Sequence, residues 1–107
     1  MSDLVKRLTE GETRVIATRV SDAAELRERI DRGYVLVKFT DTKGGTELGF
    51  EPELEQCSLD NADFSTGDGQ VTLVGNLKLD YVPVKLIATL DLKTLEGRGK
   101  LELRQTA

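Results

Sequence analysis

The sequence predicts an α+β fold: a curved, mainly antiparallel sheet of about six or seven strands packed on one main helix, with a short N-terminal helix ahead of it. Three observations predict this. A capped amphipathic helix occupies residues 21–33, a succession of alternating segments follows it, and the last three strands accept one register that separates an apolar face from a charged one. With so many strands in a row a half-open barrel is the variant, and closure is allowed without being demanded. The 107 residues suit a single domain, 1–107, with no room for a second core.

The first element is a short helix ending near Glu10. Ser2 can cap it, Leu4, Val5 and Leu8 recur at helical spacing, and Gly11 stops it. Residues 13–20 read as a strand, with Val15, Ile16, Ala17 and Val20 among threonines and arginines. The main helix follows. Ser21 is its expected cap, Asp22 and Glu25 favour its positive end, Arg29 and Arg32 its negative end, and Gly33 terminates it. Glu25 with Arg29 and Glu28 with Arg32 are spaced for ion pairs, and Ala23, Leu26 and Ile30 make a narrow apolar stripe that must lie on a sheet.

Residues 34–40 alternate, with Val35, Val37 and Phe39 on one face. A loop of Asp41, Thr42, Lys43, Gly44 and Gly45 leads into a second alternating run, 46–51, with Leu48 and Phe50 inward. A weaker strand is expected at 56–59, and 60–69 reads as a loop pinned by Phe64. The last three strands are expected at 70–80, 84–92 and 97–105. A tight turn at Val82 and Pro83 and a four-residue turn at 93–96 would align Leu79, Leu86 and Leu103, then Leu77, Ala88 and Leu101, then Gly75, Leu90 and Gly99. The same register sets Asp80 against Lys85 and Asp91 against Arg98 on the outer face.

Two candidate sites come from this lattice. Gly75, Leu90 and Gly99 would leave a shallow depression, suited to close packing of the main helix or to a small apolar ligand. Tyr81, Val82, Pro83 and Val84 would form an apolar hairpin tip, to be covered by the N-terminal helix or by another chain.

Composition narrows the function. The formal net charge is −4, which disfavours a broad phosphate-neutralising surface and so nucleic acid as a partner. No apolar run approaches a membrane span, and a cytoplasmic location is expected. Histidine is absent and Cys57 is the single cysteine, so nucleophile pairs with histidine, intramolecular disulfides and cysteine metal clusters are excluded. No metal or cofactor is expected. Lys43, Gly44, Gly45 and Thr46 only superficially resemble a phosphate-binding loop, because the lysine precedes the glycines and a strand follows them. Asp60, Asn61, Asp63 and Asp68 lack calcium-loop spacing and read as turn caps. Glu47, the most plausible acid/base carboxylate, should point outward, and Tyr34 should straddle the core boundary.

These exclusions favour a non-enzymatic accessory or interaction protein, acting by homo-oligomerisation or as a subunit of a cytoplasmic complex. The alternative is a small apolar-ligand-binding domain or cofactor-free enzyme with a cavity between helix and sheet.

Overall fold

A computed structural model describes residues 3–42 and 44–104. The expected cap Ser2, the loop residue Lys43 and the end of the last expected strand at Gln105 lie outside the described residues. The elements are α1 (Asp3–Thr9), β1 (Thr13–Ala17), α2 (Ala23–Arg32), β2 (Val35–Phe39), β3 (Thr46–Pro52), β4 (Ala62–Asp63), β5 (Asp68–Leu79), β6 (Val82–Asp91) and β7 (Glu96–Leu103).

Alternation decides how these strands assemble. On β2, Val35, Val37 and Phe39 are all buried, and on β3 so are Leu48 and Phe50. The apolar face of each strand needs a cover. The sheet supplies that cover by curling on itself, in the order β3-β2-β1-β7-β6-β5, with β5 pairing back to β3. Glu51 opposite Asn76 and Pro52 opposite Gly75 make that joint, so six antiparallel strands close into a barrel. Its interior holds Val15, Val37, Phe39, Phe50, Leu73, Leu86, Ala88 and Leu101, all buried.

The two helices close the ends. α2 links the end of β1 to the start of β2, and its stripe of Ala23, Leu26 and Ile30 joins the core there. α1 sends Val5 and Leu8 into the same core from the opposite end, where the Arg7 guanidinium donates to the Asp41 carbonyl of the β2–β3 loop at 3.3 Å. The sheet therefore does not wrap one main helix, as the sequence suggested; it encloses its own side chains, and each helix covers one end.

Local signals at α2 were nearly all legible. Gly33 adopts φ 85° and its N–H reaches the Arg29 and Ile30 carbonyls, ending the helix as expected. The cap is Asp22 rather than Ser21: the Asp22 carboxylate accepts from the Glu25 N–H at 2.9 Å, while the Ser21 hydroxyl bonds the Glu25 side chain. Glu25 is thereby withdrawn from Arg29, and the ion pairs along the helix are Arg27 with Asp31 and Arg32 with Glu28.

The C-terminal hairpins keep the predicted faces and change the predicted partners. The β5–β6 turn is Asp80 and Tyr81, both with positive φ (50° and 67°), so Leu79 faces Val82 and Gly75 faces Leu86. Across β6 and β7, Val84 faces Leu103, Leu86 faces Leu101, Ala88 faces Gly99 and Leu90 faces Gly97. The three expected rows are thus displaced by an even number of residues, which keeps the inward set except at Leu103, expected inside and found exposed. The expected charge pairs are not formed: Lys85 lies opposite Asn76 and Glu102, and Asp91 opposite Gln70 and Glu96. Pro83 sits inside β6 instead of at the tip. β7 ends at Leu103, just short of a partner for the missing Pro83 N–H, while the Pro83 carbonyl accepts from the Arg104 N–H at 3.1 Å.

The segment after β3 is not the expected strand at 56–59. A single bridge, Ser58 with Thr72, ties it to β5, and the short β4 pairs Ala62 and Asp63 with Gly69 and Asp68 inside the expected loop. Phe64 packs on the core as expected, with the Arg27 guanidinium 5.3 Å from its ring centroid.

Candidate functional site at the mouth of the barrel

The site begins with how the chain leaves β1. The Ala17 N–H donates to the Leu95 carbonyl at 2.8 Å and the Thr18 N–H to the Leu36 carbonyl at 3.0 Å, which holds the strand end to both neighbours. Arg19 then takes a left-handed φ of 66°, a conformation that disfavours side chains other than glycine, and the chain turns toward the Asp22 cap. This turn brings residues 18–20 against α2 and the first half of β2.

Between them is a hollow of about 80 Å³. Val20, Leu26, Val35 and Leu36 give it apolar walls, Tyr34 stands at its side, and Thr18 and the guanidinium-bearing chains of Arg19, Arg29 and Arg32 line the rest. Tyr34 is held there by an absence: a Cβ on Gly49 would lie 2.0 Å from the Tyr34 hydroxyl, so the phenol lies against β3 only because residue 49 is glycine. Tyr34 is exposed rather than set across the core boundary as the sequence suggested.

Among the described residues no carboxylate lines the hollow, although the chain carries 19 acidic residues. Two of its three arginines have partners outside it. Arg19 reaches the Glu47 carboxylate at 3.4 Å, and Arg32 bonds Glu28. Arg29, half-buried, makes no side-chain hydrogen bond or ion pair among the described residues. Glu47 points outward as expected, and the neighbouring Thr18 hydroxyl, then the Arg19 guanidinium, hold its carboxyl below the usual glutamate range, so it stays ionised and is a poor proton acceptor near neutral pH.

The residues singled out from sequence lie elsewhere. Tyr81 is 98 % exposed, Val82 and Pro83 are half-buried, and Val84 is 0 % exposed, so the four do not form a continuous apolar tip. Gly75, Leu90 and Gly99 occupy three different rows, and the expected depression is absent. Phe50 lies against Gly75, Val15 and Ala88 against Gly99, and Leu90 is fully buried between Val71 and Gly97. The hollow that does exist was missed because Arg29 and Arg32 read as complements to the helix dipole and Arg19 as a strand residue. The usable signal was four arginines within 14 positions, Arg19, Arg27, Arg29 and Arg32, of which all but Arg27 line the hollow, in a chain of net negative charge.

The other motifs serve the fold. Gly44 and Gly45, both at φ 76°, make the β2–β3 turn. Asp63 accepts from the Ser65 hydroxyl at 2.6 Å and the Ser65 N–H at 3.0 Å, and these bonds lower its pKa, led by the Ser65 side chain. Among the described residues no cluster of acidic or sulfur side chains could hold a metal ion, and no helix is long and apolar enough to cross a membrane. No protein-family model matches the chain, and no curated protein sequence is similar to it.

Proposed function

We propose that the protein is a small-molecule-binding barrel whose ligand occupies the hollow between α2 and the β1–β2 mouth. The observation that carries this reading is the combination of apolar walls with a cationic lining free of carboxylates, one member of which, Arg29, is half-buried and unpaired among the described residues. The lining contains no carboxylate, cysteine or histidine to move a proton, which favours binding over catalysis. A cytoplasmic setting fits the single free cysteine.

The test is a nuclear magnetic resonance titration of the full chain with a mixture of small neutral and charged fragments. Shifts should concentrate at residues 18–20, 26–32 and 34–36 and disappear in Val20→Phe, which fills the hollow from its half-exposed side. Shifts scattered over the surface, or unaffected by that substitution, would refute the reading.

Association through the β5–β6 tip is the second reading, and Tyr81 supports it, being an aromatic ring presented entirely to solvent. The argument from an open sheet edge is weaker, because the barrel pairs β5 back to β3. On this reading the partner is a second copy or a larger cytoplasmic assembly.

A further inference from the structure

We infer that the ligand of the hollow carries a carboxylate on a short apolar body, and that Arg29 is the residue that binds the carboxylate. This rests on the proposal that the hollow is a ligand site. A partly desolvated guanidinium without a partner is unfavourable, since burial weakens its hydration and nothing on the protein replaces it. Arg29 is held in that state by its place on α2, between Leu26 one turn before and Arg32 one turn after, all three lining the hollow. Its intended neighbour on the helix, Glu25, is occupied by the Ser21 N–H and hydroxyl. Arg19 and Arg32 add positive potential while their own carboxylates stand outside the lining. The fork of N–H donors on a guanidinium matches the two oxygens of a carboxylate.

Size and wall chemistry set the rest of the ligand. At about 80 Å³ the space is roughly half of a cavity known to admit benzene, which leaves room for a body of about three to five carbon atoms. Val20, Leu26, Val35 and Leu36 suit a short alkyl chain, and besides the arginines the polar groups of the lining are the Thr18 and Tyr34 hydroxyls. An α-amino acid is disfavoured, because its ammonium would enter a cationic lining. Inorganic phosphate lacks the apolar body that the walls would contact.

The experiment uses butyrate, with butyramide as its neutral isostere and inorganic phosphate as an anion without a body, titrated into the full chain and followed by amide shifts. Butyrate should perturb residues 18–20, 26–32 and 34–36, and butyramide should bind about tenfold or more weakly. Arg29→Gln should weaken butyrate by about 10- to 100-fold, and Arg29→Lys by less, with dispersed spectra confirming that both variants are folded. Equal binding of butyrate and butyramide, or no effect of Arg29→Gln, overturns the carboxylate assignment and leaves the hollow as a ligand site. Phosphate binding as tightly as butyrate shows that charge alone is read, and also overturns it. Silence from all three probes together with silence from the fragment mixture removes both readings.

Discussion

Tyr81 sits where the backbone least welcomes a side chain. A two-residue hairpin turn with positive φ at both positions prefers Asn followed by Gly, and this chain has Asp80 and Tyr81 there. With Tyr81 98 % exposed, replacing it with glycine removes no burial and relieves a left-handed strain of about 1 kcal/mol. Tyr81→Gly should therefore raise the melting temperature by about 4–8 °C in a thermal unfolding experiment. Sedimentation of the same variant tests the tip: if Tyr81 anchors a second copy, the wild type should be the heavier species, and equal masses leave only the backbone effect. At this scale the sequence misled in a specific way. Pro83 drew the turn two residues too far along, because proline signals a turn more loudly than Asp80 does, and Leu79, Leu86 and Leu103 were consequently set in a row they do not share.

Among the elements, β5 shows how a long strand is completed by irregular chain. One edge pairs continuously with β6 from Gln70 to Leu79. The other meets β4 at Asp68 and Gly69, Ser58 at Thr72, and β3 at Gly75 and Asn76. The gap at Val74 is filled by Cys57. The Val74 N–H donates to Sγ at 3.3 Å, and the Val74 carbonyl accepts from the Glu53 N–H at 2.7 Å and from the thiol at 3.5 Å. Burial pushes the thiol pKa up, more than the Val74 contact lowers it, so the group remains a thiol at neutral pH. Cys57→Ala leaves a buried N–H without an acceptor and should cost about 1–3 kcal/mol in denaturant unfolding, whereas Cys57→Ser keeps an acceptor and should cost less. Equal losses in the two variants would mean that packing, not this bond, is what Cys57 supplies. The alternating strands and the Gly33 stop were legible because each depends on neighbours in sequence. This sulfur-bridged edge was not, since it joins residues 17 positions apart by a weak acceptor that no pattern marks.

The molecule as a whole depends on close strand approaches at glycine. A Cβ at Gly97 would fall 1.7 Å from the Thr89 carbonyl oxygen, a backbone atom that cannot move without breaking the β6–β7 ladder. At Gly99 the nearest atoms are at 3.1 Å, and one of them is a Val15 methyl. Gly97→Ala should therefore destabilise by about 3 kcal/mol or more, and Gly99→Ala by about 1 kcal/mol or less, measured by the shift of the urea midpoint at unchanged slope. Comparable losses at the two positions would contradict the strand spacing described. Alternation did predict which side chains face inward, but barrel closure and the arginine-lined hollow were beyond it. Closure rests on Glu51 meeting Asn76 and Thr13 meeting Gly99, and the hollow on the turn at Arg19 reaching α2, and none of these meetings has a local signature.

The pairing of β1 with β7 also dictates an order of events. Thr13, Arg14, Val15 and Ile16 find that neighbour only in Glu96, Gly97, Arg98 and Gly99, more than 70 positions later. During synthesis the early strand must wait, one flank bare, until residues 96–99 have emerged, with β2 as its one nearby strand partner.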